Sequence, residues 1–305
     1  MISRRPAVRA TDRTGLAIVL SLVALALFDA MGLVIKLLSD RYSAQELSAW
    51  RNLFGLFPAV IAVFASPVWR AAGRPLQMRQ WRLALLRGVV VTVAQLCFYL
   101  SLGLMAFATA STITYANALF MTAMAIPLLG ERVGPVRWAA VLIGFFGVIL
   151  VMEPGTDTFT AAAILPLIAA SCYAFVGVTS RLFDDDVPTP LISLYSAGTA
   201  LITSALIAAF WGGFTPVASL ADMGWIIAMG GFGGTAVLFL VASYRMTEQS
   251  NLAPFSYFGI PLAFALGWLF FDEAPWDALF PGAILIAVGG LMIIWRERRQ
   301  RQRVH

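Results

Sequence analysis

Nine side chains able to bind or orient a solute stand in otherwise apolar stretches of this chain: Asp29, Trp50, Arg51, Gln95, Tyr99, Tyr115, Asn117, Tyr257 and Trp268. A carboxylate deep in an apolar segment costs roughly 2.5–3.5 kcal/mol on membrane-insertion scales, so Asp29 has to face protein or water. There it can hold a cationic group, carry a proton, or pair with a polar neighbour for packing alone. Arg51, within Trp50-Arg51-Asn52, can snorkel outward along its stem or turn its planar fork to a carboxylate or phosphate. Gln95 and Tyr99 are four residues apart and so share one helix face. Tyr115 beside Asn117, and Tyr257 beside Ser256, can pack between helices or wall a cavity. Trp268 offers an aromatic wall or plain bulk. Tyr244 and Glu248, also four apart, read as the anchor of a loop at a helix end.

Other chemistries find little support. The single histidine is the terminal His305, and Cys97 and Cys172 lie in separate apolar runs without metal-ligand spacing. A zinc site, a haem site or a histidine-based triad is not expected, and no cofactor is implied. Asp184-Asp185-Asp186 could belong to a metal-dependent lipid-modifying enzyme of the membrane, but no second acidic motif accompanies it and a solvated loop accounts for it. Gly230-Gly231-Phe232-Gly233-Gly234 lacks the lysine and the helix start of a phosphate loop. It serves either as a bend or as a site of close helix approach.

The elements that position these groups follow from composition. The 305 residues are 60% hydrophobic and 12% charged, against about 45–50% and about 25% in soluble domains. A chain of this kind has a lipid bilayer as its partner, and its net charge of +5 belongs with headgroups rather than nucleic acid. About 20 apolar residues cross a bilayer as a helix. Ten such stretches can be read, at 15–38, 46–66, 82–103, 107–129, 134–152, 159–181, 189–211, 222–244, 250–271 and 276–295. The first is too long for the apolar core of a signal peptide, about 7–15 residues.

Basic residues orient the spans. With the N-terminus in the cytoplasm, eighteen of the 21 Lys and Arg residues fall on the cytoplasmic side; only Lys36, Arg41 and Arg51 fall on the other. That bias predicts a multi-pass protein of the bacterial inner membrane with both termini cytoplasmic.

The chain also resembles itself. An offset of about 142 residues sets Gly88 on Gly230, Ala94 on Ala236, Ser101 on Ser243, Tyr115 on Tyr257, Glu131 on Glu273 and Gly147 on Gly289. An offset of 145 sets Gly32 on Gly177 and Lys36 on Arg181. Each repeat holds five spans, an odd number, so the second copy enters the membrane upside down. The expected fold is therefore all-α and integral to the membrane, with ten transmembrane helices as two five-helix inverted-topology repeats. Residues 1–14 form a cytoplasmic tail, 15–152 the first repeat, 159–295 the second and 296–305 a basic cytoplasmic tail. Inverted repeats give two similar gates around a central site, the basis of alternating access. Glu131 and Glu273, just ahead of the last helix of each half, read as carboxylates capping free backbone N–H groups, or as gate residues.

Within this frame the chain resembles the EamA family of the drug/metabolite transporter superfamily along essentially its whole length. The resemblance is carried by Pro127-Leu128-Leu129-Gly130-Glu131-Arg132-Val133, followed by Trp138 and Gly144-Phe145-Phe146-Gly147-Val148, and by Phe270-Phe271-Asp272-Glu273, followed by Gly282 and Gly289-Gly290. Ala110-Ser111 and Tyr115-Ala116-Asn117 also resemble the family's fourth helix. The resemblance implies a secondary transporter, not an enzyme, carrying a small organic solute such as an amino acid. Uptake of a cofactor such as S-adenosylmethionine or riboflavin is the alternative. A homodimer is a further assembly compatible with it. No nucleotide-binding motif is present to supply energy from ATP, and Asp29 is the best-placed group to couple protons.

Overall fold

Hydrocarbon offers the backbone no hydrogen-bond partners, so apolar runs of this length close their own bonds as helices. The structure is a computed structural model in which residues 14–71, 73, 76–130, 135–152, 161–184, 187–246, 252, 255, 258–273, 280–288 and 292 are described. Among them every regular element is helical. In chain order these are α1 (Thr14–Leu38), α2 (Ala44–Ala65), the short α3 (Pro67–Ala71), α4 (Trp81–Leu104), α5 (Phe107–Tyr115), α6 (Asn117–Leu129), α7 (Pro135–Met152), α8 (Ile164–Thr179), α9 (Thr189–Phe210), α10 (Leu220–Met246) and α11 (Gly259–Phe271). Further helical turns occupy 282–288.

Seven helical stretches among the described residues are long and apolar enough to cross a bilayer. They are α1, α2, α4, α5 with α6, α8 with the 3₁₀ turn after it, α9 and α10. Of the other expected spans, α7 and α11 contribute shorter apolar helix, and much of 250–258 and 289–295 lies outside the described residues. Large apolar side chains such as Phe57, Ile61 and Phe64 are exposed on the exterior, as a chain solvated by lipid requires. It is a multi-pass membrane protein.

Two expected boundaries shift for local reasons. The second helix begins at Ala44 because Ser43 forms a capping box: its hydroxyl accepts from the Glu46 N–H at 3.3 Å, and Glu46 Oε2 accepts from the Ser43 N–H at 2.9 Å. This reciprocal bonding satisfies two orphan donors. The span expected over 107–129 is divided at Ala116, whose N–H turns back to Ile113 O at 3.1 Å, three residues away instead of four.

The helices pack in exchange-related pairs. Contacts of α1 with α10 are matched by contacts of α8 with α4, and those of α2 with α10 by those of α9 with α4. At the second pair of crossings the matched glycines do the same work. Gly88 of α4 lies against Ser196, Thr199 and Ala200 of α9, and Gly230 of α10 lies against Phe54 and Gly55 of α2. A Cβ at either position would overlap its neighbour. The glycine run of α10 is therefore a site of close approach in a helix that continues unbroken from Leu220 to Met246, not a bend.

Candidate functional site

Between these helices lies a cavity of ≈ 250 Å³, slightly below the usual ~300–1,000 Å³ of small-molecule sites. It is lined at mid-bundle by Asp29 of α1 and by Arg51 and Asn52 of α2, with Gln95 and Tyr99 of α4 facing them. From there it runs towards the end of the bundle marked by Arg87 of α4, Ser193 of α9 and Tyr244 of α10. The Phe28 and Phe98 rings and the side chains of Leu25, Val91 and Leu238 make much of the remaining wall apolar.

Asp29 is 5% exposed. Its Oδ1 accepts a hydrogen bond from the Tyr115 hydroxyl at 2.8 Å, while Oδ2 has no protein partner. Tyr115 is the last residue of α5, so its hydroxyl reaches Asp29 from the junction between α5 and α6. Arg51, 6% exposed, is held from the side: its Nη1 donates to Asn52 Oδ1 at 3.0 Å. Asn52 is itself fixed, donating to Gln95 Oε1 at 2.8 Å and to Ser204 Oγ at 3.2 Å. Gln95 returns a bond to Asn52 Oδ1 at 3.2 Å and accepts from Ser48 Oγ at 3.0 Å. The Gln95 amide is thus committed to positioning Asn52, which in turn aims Arg51.

Asp29, Arg51, Gln95, Tyr99, Tyr115 and Asn117 meet in one cavity. Two other candidates do not. Trp50 stacks on Phe54 with centroids 6.1 Å apart and meets Phe214 edge-on at 5.9 Å; it is one residue from Arg51, about 100° around the helix, and so points away from the cavity. Trp268 is 60% exposed, because the buried stripe of α11 runs through Gly259, Ile260, Ala263 and Gly267 and leaves it on the exterior. It is not an aromatic wall here. Tyr257, Glu248 and Glu131 lie outside the described residues.

Several lining residues were not read as cavity wall from the sequence. Tyr244 lines the cavity, while Glu248, its expected loop partner, lies outside the described residues, and Tyr173 of α8 joins the wall. Arg87, counted among the headgroup-facing cations, is 4% exposed. It donates to Val176 O and, at 2.9 Å, to Thr179 Oγ1, and its guanidinium lies 5.4 Å from the Phe183 ring centroid. Its position seven residues inside an apolar helix was the available signal, the same one that singled out Arg51.

The opposite end of the bundle is closed by charge. Lys36 Nζ meets Glu273 Oε1 at 2.6 Å and Met105 O at 2.9 Å, beneath the Phe271 ring. Glu273 Oε2 accepts from the Phe107 N–H at 2.8 Å. The carboxylate therefore caps a helix, α5; residues 274–279, which follow Glu273 in the chain, lie outside the described residues. Nearby, Asp222 takes Arg41 at 2.9 Å and the Tyr42 hydroxyl at 2.9 Å, and Glu46 reaches the Thr215 N–H.

Residues 15–153 match the model of the EamA-like transporter family. The S-adenosylmethionine uptake transporter of Rickettsia felis is 24% identical over 94% of both chains. The match to the EamA-like family covers the first half of the chain. A riboflavin transporter of Rhizobium johnstonii is 33% identical over 57% of each chain, and the pseudopaline exporter of Pseudomonas aeruginosa is 24% identical over 89% of this chain and 93% of its own. A solved crystal structure superposes with a TM-score of 0.66 at 21% identity, covering 93% of this chain and 98% of that one, which shows a shared fold. These relatives are named as transporters of small metabolites, and they point to a transporter and not to an enzyme.

Proposed function

We propose that this protein is a secondary transporter of the EamA type that moves a small polar organic metabolite across the bacterial inner membrane by alternating access through the central cavity. The observation that carries the reading is the contrast between its two ends. One holds the cavity's lining down to Arg87 and Tyr244; the other is bolted by Lys36–Glu273 and Arg41–Asp222. A carrier caught open to one side has this form.

The exchange-related helix contacts support two inverted five-helix halves, 15–152 and 159–295, within ten spans. The distribution of 21 basic residues supports cytoplasmic termini. In that orientation the cavity opens to the cytoplasm and the ion pairs close the outer side. The repeat sets Lys36 against Arg181 and Glu273 against Glu131, so the same two charges are available for a lock at the inner side when the cavity faces out.

The relatives' names cover both uptake and export of polar, multifunctional solutes. S-adenosylmethionine, riboflavin and amino acids are therefore the first solutes to try. The test is counterflow in proteoliposomes: labelled solute should accumulate against an internal pool of the same compound. Val241→Trp, which fills the cavity from α10, should abolish it without changing the melting temperature. Counterflow of a solute that persists in Val241→Trp would place the route elsewhere.

A further inference from the structure

Each half of the molecule grips the other through its connectors, once at either end of the bundle, and the repeat offsets relate the two grips. The offset of 145 that sets Gly32 on Gly177 also sets α2 on α9 end to end, Ala44–Ala65 on Thr189–Phe210. The offset of 142 sets Leu76 and Gln80, ahead of α4, on Ala218 and Asp222, at the start of α10. These are the contact points in both places. At the Arg87 end the Gln80 amide donates to Leu182 O at 3.0 Å and accepts from the Asp184 N–H at 3.2 Å, while the Tyr195 hydroxyl donates to Leu76 O at 2.6 Å. At the Lys36 end Asp222 accepts from Arg41 and from the Tyr42 hydroxyl, each at 2.9 Å, and that hydroxyl accepts from the Ala218 N–H at 2.9 Å. A tyrosine of the other half thus meets the same backbone position, 76 or 218, in both seams.

The apolar layer beneath is also shared. Ala84, Phe183 and Ile192 pack together in one seam, and Ile226, Leu38 and Leu47, their equivalents under the two offsets, belong to one buried cluster at the other. All six are buried, so parting either seam exposes apolar side chains as well as polar groups.

The two ends nevertheless differ in what the cavity does. It runs to Arg87 and Tyr244 at one and stops short of Lys36–Glu273 at the other. A contact that opened and closed with the cavity would be formed at one end only, yet both seams are formed in the same structure. The seam at the Arg87 end borders the cavity without crossing it: Ile192 and Ser196 line the cavity, and Ser196 Oγ donates to Ala84 O at 3.2 Å. Lys36–Glu273 belongs to neither seam, because it joins α1 to the end of α11 and, through Met105 O and the Phe107 N–H, to the start of α5.

We propose that the two seams are fixed pivots, kept closed throughout the transport cycle, and that Lys36–Glu273 is the contact that opens at its end. Hinge motions turn about a few element-terminal residues while the packed parts on either side stay intact, and the seams lie at such element ends. Arg41–Asp222 then closes its end permanently and is not a gate. This deepens the transport reading and rests on it for the claim that the cavity changes sides.

The test is spin-label distance measurement on the purified full chain in nanodiscs, in a Cys97→Ala/Cys172→Ala background. Labels at three pairs of exposed positions report the Lys36-end seam (Asp40→Cys with Ala218→Cys), the Arg87-end seam (Arg79→Cys with Asp184→Cys) and the gate (Leu37→Cys with Asp272→Cys). Each pair is compared with and without Glu273→Gln, and Lys36→Gln serves as a second way to break the ion pair. The gate pair should gain a longer distance when the ion pair is broken, while both seam pairs keep one unchanged distance. A seam pair that lengthens with the gate pair, or a gate pair that stays fixed in both variants, overturns the proposal. The transport reading survives either result if a solute shows counterflow that Val241→Trp abolishes.

Discussion

Lys36 and Glu273, far apart in sequence, meet at 2.6 Å, and the same carboxylate caps the N-terminus of α5 through Phe107 at 2.8 Å. The other end of α5 is Tyr115, bonded to Asp29. One nine-residue helix thus spans from the closed end to the cavity, and both of its ends are tied to carboxylates from elsewhere in the chain, Glu273 just past α11 and Asp29 within α1.

Glu273→Gln keeps the shape but removes the charge that holds Lys36 and strengthens the cap. Losing one partner of a charge-assisted bond costs about 1.5–3 kcal/mol, enough to shift a two-state equilibrium by roughly 10- to 100-fold. The expected outcome is opening of the Lys36 end and slower net transport. Lys36→Glu combined with Glu273→Lys should recover part of it, since the ion pair returns while the α5 cap does not. Initial rates in proteoliposomes for the two single variants and the double variant measure this.

Asp222 and Arg41 are unequal partners. The Arg41 side chain is 61% exposed and that of Asp222 5%. An exposed ion pair contributes about 0–1 kcal/mol, so Arg41→Ala should barely move the melting temperature. Asp222→Ala also strands the Tyr42 hydroxyl, and should cost about 1–3 kcal/mol. Thermal melts in detergent distinguish the two.

Gly230→Val and Gly88→Val put side chains where backbones touch. Overpacking costs about 1–3 kcal/mol and more when the obstacle is backbone. Both should lower the melting temperature, and by similar amounts, because they occupy exchange-related crossings. A fall in one and not the other would argue against the inverted repeat.

Tyr115→Phe removes one hydroxyl from Asp29 and leaves the ring. Solute affinity should fall by about tenfold, equivalent to about 1.4 kcal/mol, and the melting temperature should fall as well, since Asp29 Oδ1 is left buried without its partner. Gly259→Ala should reach a similar end indirectly, since a Cβ there overlaps the Tyr115 hydroxyl. Binding titrations of both variants measure it.

The fold was largely legible because hydrocarbon leaves the backbone few options, and long apolar runs announce themselves. Six cavity residues could be read: Asp29 and Arg51 by a charge anomalous at their depth, and Gln95, Tyr99, Tyr115 and Asn117 as polar or amphipathic groups inside apolar spans. What escaped has physical reasons. Arg87 was masked by a rule about topology that counts cations without asking which way they face. Trp268 looked like site chemistry because aromatic type says nothing of helix rotation; its neighbour Gly267 marks the buried stripe, and Trp268 is one step off it. The division at Ala116 has no proline or glycine at the break itself, so no local residue signals it. The partner of Glu273 could not be foreseen, since the repeat aligns equivalent positions and not contacts between halves.

Accessibility of the cavity from each face tests the central claim most directly. In a Cys97→Ala/Cys172→Ala background, Val241→Cys in vesicles of known orientation would be exposed to a membrane-impermeant maleimide. With Lys36–Glu273 intact, labelling should come from the cytoplasmic face alone; Glu273→Gln should add labelling from the outer face. Labelling from the outer face with the pair intact, or no change when the pair is broken, would contradict a carrier that alternates about this cavity.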